Sequence, residues 1–256
     1  MGKIFSLANQ KGGVGKTTTT INLGAFLADL GKTVLIVDID PQGNAGSGFG
    51  LDVMKLKPTI YEVLLGDADL KTALKKSEIE NLDILPSNIN LSGLEIDVRD
   101  GEDTDYILKK LLDPIKDDYD YILIDCPPSL GLLTINSLAA SDGVLIPLQC
   151  EYFALEGLTQ LLRIIKLAQN KLNTSLVLEG VLLTMYDSRT RLSAQVVQDV
   201  KEHFKQQVFE VIIPRNVKLT EAPSFGQPIG HYEPHSTGAA AYKKFAKELI
   251  ERTHGN

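Results

Sequence analysis

The stretch that most restricts the fold is residues 3–38, KIFSLANQKGGVGKTTTTINLGAFLADLGKTVLIVD. A short apolar run at 3–8 leads into a glycine-rich loop. Residues 17–30 follow with helical spacing (Ile21, Leu23, Ala25, Phe26, Leu30), and Gly31 is a natural stop. An apolar β-branched run at 33–37 then ends on Asp38. Strand, glycine loop, helix, strand is a βαβ unit. The alternation continues, with strands expected at 82–85, 121–124, 143–148, 176–184 and 208–213. Helices are expected at 106–112, about 155–169, 192–204 and about 237–252. The runs VLIVD, YILID and GVLIPL are apolar on both faces, as strands of a helix-covered parallel sheet must be. The expectation is an α/β fold with a doubly wound, mostly parallel sheet of roughly seven or eight strands flanked by helices. No stretch has the composition of a linker, so a single domain over residues 1–256 is expected.

The net charge of -7 excludes a surface that is basic throughout, so any contact with nucleic acid must come from a local patch. Residues 189–218 offer one: Arg189, Arg191, Lys201, Lys205, Arg215 and Lys218 stand against Asp199, Glu202 and Glu210. Two cysteines, Cys126 and Cys150, are too few for a disulfide framework or a cysteine-held cluster and fit a reduced cytosolic compartment. No apolar run approaches the ~20 residues that span a bilayer. The four histidines show no strong ligand spacing.

The loop QKGGVGKTT, residues 10–18, carries the chemistry. After a strand and before a helix, such a loop turns successive backbone N–H groups toward an anion, aided by the helix dipole. Gly12, Gly13 and Gly15 let the backbone approach phosphate oxygens, with Val14 between them. Lys16 would reach the β- and γ-phosphates and Thr17 would place its hydroxyl on Mg²⁺. The strict P-loop pattern asks for glycine where this chain has Gln10. Asp125 ends the strand YILID, where a P-loop protein holds Mg²⁺ through water. Asp38 and Asp40, in DIDPQGN, end the strand after the first helix. Either could orient an attacking water, and either could cap a turn.

Taken together, KGGVGKTT, DIDPQGN, ILIDCPPSLG and IIPRNVKLTEAPSFGQPI resemble the ParA/Soj group of chromosome and plasmid partition ATPases, within the deviant Walker A class of P-loop proteins. The resemblance runs to about Tyr242. It implies ATP/ADP and Mg²⁺ as ligands and an ATP-dependent sandwich homodimer in which Lys11 crosses to the partner's phosphates. It implies that Asp40 positions the lytic water, that Thr17 and Asp125 belong to the Mg²⁺ shell, and that Thr18 lies beside the α-phosphate. Pro214 and Asn216 match positions near the adenine base. Nonspecific binding of double-stranded DNA, with Arg189 and Lys218 at matching positions, and a ParB/Spo0J-like centromere-binding partner are likewise implied. So is a cytoplasmic, nucleoid-associated location.

Two competitors share the loop. A MinD-like membrane-associated division-site ATPase needs an amphipathic C-terminal helix for lipid. Here Tyr242, Phe245, Ala246, Leu249 and Ile250 form one apolar stripe, which core docking also explains. A metal-cluster carrier needs paired cysteines, and Cys126 and Cys150 read instead as small packed hydrophobes.

Overall fold

The computed structural model describes residues 2–98, 103–151 and 154–254. Its strands are β1 (Lys3–Leu7), β2 (Val34–Asp38), β3 (Lys75–Lys76), β4 (Leu82–Leu85), β5 (Tyr121–Asp125), β6 (Gly143–Gln149) and β7 (Val177–Thr184). They hydrogen-bond in the order β3-β4-β2-β5-β1-β6-β7, and every neighbouring pair is parallel except β3–β4. The register sets Leu7 beside Asp125 and Asp125 beside Asp38. The carboxyl ends of β1, β5 and β2 therefore finish level, and the loops that follow them emerge along one edge, where open α/β sheets bind ligands.

The principal helices are α1 (Lys16–Asp29), α2 (Ile107–Leu112), α3 (Leu132–Ala140), α4 (Ala154–Lys171), α5 (Arg191–Phe204), α6 (Val217–Glu221) and α7 (Thr237–His254). Side chains alternate across the sheet and feed two separate cores. Ile4, Leu35 and Ile122 join the cluster that holds Leu138, Leu161 and Val200 from α3, α4 and α5. Their chain neighbours Phe5, Ile36 and Leu123 join the cluster that holds Leu23 and Leu27 of α1 with Phe245 and Leu249 of α7. Both faces are covered, which is why these strands are apolar at every position.

The C-terminal stripe belongs to this second core. Tyr242, Phe245, Ala246 and Leu249 are buried and Ile250 packs against them, so the face a lipid surface would need is spent on the sheet and α1. No helix among the described residues is long and apolar enough to cross a membrane.

The strand expected at 208–213 is the main correction. Only two isolated bridges form, Val181 with Val208 and Tyr186 with Pro214. Phe209 and Ile213 donate to Val181 and Leu183 carbonyls at 3.0 and 2.9 Å, but the N–H groups between them go elsewhere. Glu248 of α7 takes Glu210 N at 2.8 Å and Val211 N at 3.1 Å. A carboxylate thus replaces a ladder, and Pro214 has no N–H with which to extend one. Helix α3 and the two-residue β3 are additions to the expected order. Nearly every side of α3 is buried, which removes the periodic signal that marks an amphipathic helix.

Segment 208–213 lies hard against β7. A Cβ at Gly180 would sit 2.6 Å from the Phe209 ring and 2.9 Å from the Gln207 carbonyl oxygen. Gly180→Ala is expected to cost about 1–3 kcal/mol. Urea unfolding should show a lower midpoint at unchanged slope; an unchanged midpoint would contradict this packing.

Candidate functional site

The loop after β1 closes onto the first turn of α1. Gly13 and Gly15 have φ of 73° and 92°, a region that side chains disfavour. So flexible a loop needs fixing from outside. Buried Asn9 donates to the Pro147 carbonyl at 2.8 Å and accepts from Lys11 N at 3.0 Å. Thr184, at the end of β7, donates from Oγ1 to the Val14 carbonyl at 2.8 Å. Asn9 and Thr184 escape sequence reasoning because their contacts are 138 and 170 residues away. The available signal is their place at strand ends on the ligand edge.

Beside the loop is a cavity of about 640 Å³, within the range of nucleotide-sized pockets. Gly12, Gly13, Gly15, Lys16, Thr17 and Thr18 line one part of it, with Asp40 and Gln42 nearby. Ile213, Pro214, Asn216 and Val217 line another. Lys16 is largely buried, with Nζ 3.5 Å from the Lys11 carbonyl oxygen. Burial lowers its pKa, and the charges of Asp125 and Asp40 act the other way. A cation so desolvated gains strongly from an incoming phosphate.

Asp125 is wholly buried and central. Thr17 Oγ1 donates to its Oδ2 at 2.7 Å, and Thr20 Oγ1 donates to its Oδ1 at 3.1 Å. A hydroxyl and a carboxylate are hard oxygen donors, suited to Mg²⁺. No cluster of three or more His, Cys, Asp or Glu side chains fit for a metal occurs among the described residues. That donor set fits an ion held mostly by phosphate oxygens and water.

The turn after β2 gives Asp38 and Asp40 different surroundings. Asp38 is the anchor: Oδ1 accepts from Asp40 N at 3.1 Å, and Oδ2 accepts from Ala45 N at 2.9 Å and Gly46 N at 3.3 Å. Asp40 is buried but lines the cavity, and its Oδ1 accepts from Gln42 N at 3.0 Å. Burial pushes the carboxyls of both Asp38 and Asp125 above the usual range, and the charge of Asp125 raises Asp38 further.

Asn216 spends its side chain on structure. Its Oδ1 caps α6 through Lys218 N at 2.8 Å, and its Nδ2 donates to Thr237 at 2.8 Å. Any contact from Asn216 to a base would therefore use its backbone. Pro214 is held opposite Tyr186, whose N donates to Ile213 O at 3.1 Å and whose O accepts from Arg215 N at 2.9 Å.

Lys11 is not among the residues lining the cavity, and its half-exposed side chain sets Nζ 3.4 Å from Glu151 Oε2. Arg189 forms a bidentate pair with Asp187, at 2.9 Å from Nε and 2.7 Å from Nη2, and this holds the Asp187 carboxyl well below its usual range. Lys218 pairs with Glu221 at 2.8 Å. Both basic residues thus have a local carboxylate, and both carboxylates fall just outside the window 189–218. Cys126 and Cys150 are free and buried, each with its thiol pushed up to about 12 by burial.

A family model described as an AAA domain matches residues 2–178. The sporulation initiation inhibitor protein Soj of Bacillus subtilis is 55% identical over 249 residues, covering 97% of this chain and 98% of that protein. The chain belongs to the ParA/Soj family of partition ATPases. The chromosome-partitioning ATPase Soj of Treponema pallidum is 53% identical and covers 98% of each chain. Among solved structures, the cobyrinic acid a,c-diamide synthase of Mycobacterium smegmatis with bound ATP analogue and magnesium superposes with a TM-score of 0.89. It is 40% identical and covers 100% of this chain and 97% of that one.

The buried carboxyls make stability depend on pH. In the folded chain they keep protons that unfolded aspartates release near pH 4. Their stabilising share is complete below that pH and is lost as pH rises through the raised folded values. With metal chelated, stability should fall as pH rises from about 4 toward the folded values of about 8 for Asp38 and about 7 for Asp125. Urea unfolding of Asp38→Asn should show a shallower fall; equal slopes in parent and variant would refute the assignment.

Proposed function

We propose that this chain is a Mg²⁺-dependent ATPase that partitions DNA and works as one ATPase unit over its length. ATP binding favours a sandwich homodimer that holds DNA without sequence preference. Hydrolysis, stimulated by a centromere-binding partner of the ParB kind, resets it. The observation that supports this most is the meeting of Lys16, Thr17, Asp125 and Asp40 at one loop edge, in a chain 55% identical to Soj.

In this reading, residues 12–18 surround the phosphates with N–H groups, and Lys16 supplies their main cation. Thr17 and Asp125 would hold Mg²⁺, which would supply charge neutralisation to the phosphates. Asp40 accepts a hydrogen bond from the attacking water while Asp38 holds its backbone. Catalysis rests on positioning and charge rather than on a covalent step. Lys11 reaches the partner's phosphates, so the dimer binds ATP better than the single chain does. Loss of the γ-phosphate then weakens pairing. Arg189 and Lys218 exchange Asp187 and Glu221 for DNA phosphates, and the bound complex sits on the nucleoid.

Lys16→Ala is expected to lower ATP affinity by about two orders of magnitude, because a desolvated cation is removed from the phosphates. Asp40→Ala should keep ATP binding, lower hydrolysis on the order of 100-fold and accumulate dimer. Calorimetry, phosphate release and sedimentation read the three quantities, and parental turnover by Asp40→Ala would remove that residue from catalysis. Arg189→Glu should weaken DNA retention about tenfold at low salt without altering dimerisation; retention equal to the parent's would take Arg189 out of the interface.

A further inference from the structure

Glu151 lies two residues beyond β6. Three groups converge on it. Lys11 Nζ meets Oε2 at 3.4 Å, whereas Gln149 Nε2 at 2.6 Å and Arg215 Nη2 at 3.7 Å both meet Oε1. The carboxylate therefore ties the phosphate loop to the 213–217 segment that lines another part of the cavity. It also separates the two lysines of the loop. Lys16 folds inward over the loop backbone, and Lys11 is drawn outward.

We propose that Glu151 is a positioning residue that holds Lys11 in an ion pair of its own chain and competes for it with the triphosphate of a second copy. Glu151 thereby sets how much ATP-loaded protein is needed for pairing. This rests on the dimer reading given above. The division of oxygens makes the exchange workable. When Lys11 leaves Oε2, Oε1 keeps Gln149 and Arg215, so the carboxylate is not left uncompensated. Lys11 and Glu151 are 37% and 46% exposed, and ion pairs at that exposure are weak and easily exchanged. A triphosphate offers Lys11 more negative charge than one carboxylate does, so the exchange runs toward the pair only when the nucleotide is present. In the ADP state Lys11 returns to Glu151, and the loop keeps a defined shape between cycles.

The test measures the dimer dissociation constant by sedimentation with a non-hydrolysable ATP analogue, for the parent, Glu151→Gln, Glu151→Asp, Lys11→Ala and the Lys11→Ala/Glu151→Gln double variant. Glu151→Gln keeps the shape and removes the charge. It should pair about 3–10-fold more tightly, with analogue affinity of the unpaired chain unchanged. Glu151→Asp, which keeps the charge, should stay near the parent. Lys11→Ala should abolish pairing, and the double variant should not recover it, because Glu151 acts through Lys11. A structural role would instead lower the melting temperature of Glu151→Gln in both the parent and the Lys11→Ala background. If Glu151→Gln pairs as the parent does, or less tightly, while Lys11→Ala abolishes pairing, the positioning role is overturned and the dimer reading survives. If Lys11→Ala pairs normally, the dimer reading itself falls.

Discussion

A fully buried carboxylate at the end of β5 joins the parts of this molecule that matter for its chemistry. Asp125 receives hydrogen bonds from Thr17 and Thr20 in the first turn of α1, and its strand neighbour in register is Asp38. Asp38 in turn holds the Asp40 turn and the backbone at 45–46. One buried acidic pair therefore fixes the helix that starts under the phosphate loop and the turn that carries Asp40. Burying two carboxyls this close is unfavourable, since desolvation and mutual repulsion both oppose ionisation. The fold tolerates it because hydroxyl and amide donors surround the pair. A divalent cation bound there would turn the repulsion into attraction.

The same logic recurs on the surface with the signs reversed. Lys11, Arg189 and Lys218 each meet a carboxylate of their own chain, from Glu151, Asp187 and Glu221. With a net charge of -7, the protein has more carboxylates than cations. Such pairs are weak in water, so they order a long side chain without locking it. A polyphosphate or a DNA backbone presents denser charge and can displace the carboxylate. These surface pairs are thus exchangeable, while Lys16 at the start of α1 and Asp125 at the end of β5 are buried.

Most of the fold was legible because its signals are local. The βαβ start, the doubly apolar strands and the helices at 17–30, 192–204 and 237–252 sit within a residue or two of α1, α5 and α7. The glycine loop between β1 and α1 was legible too, because strand, loop and helix follow one another along the chain, and so was the place of Asp125 at the end of β5. Helix α3 was not, since burial on nearly all sides erases its period. Segment 208–213 looked like a strand because its composition suits one. Two of its N–H groups, those of Glu210 and Val211, were instead claimed by Glu248, 38 and 37 residues further along.

What the chain's residues decided unaided was the class of fold and the glycine loop between β1 and α1. Propensity, periodicity and glycine placement act over a few residues and can be read in order. What only the folded state decided was which of two aspartates anchors and which faces the cavity, which residues pin the loop, and where each lysine points. Those outcomes depend on partners from distant segments meeting in three dimensions, as Thr184 meets Val14 and Glu151 meets Lys11. No local pattern records such a meeting, because its energy exists only once the sheet has closed.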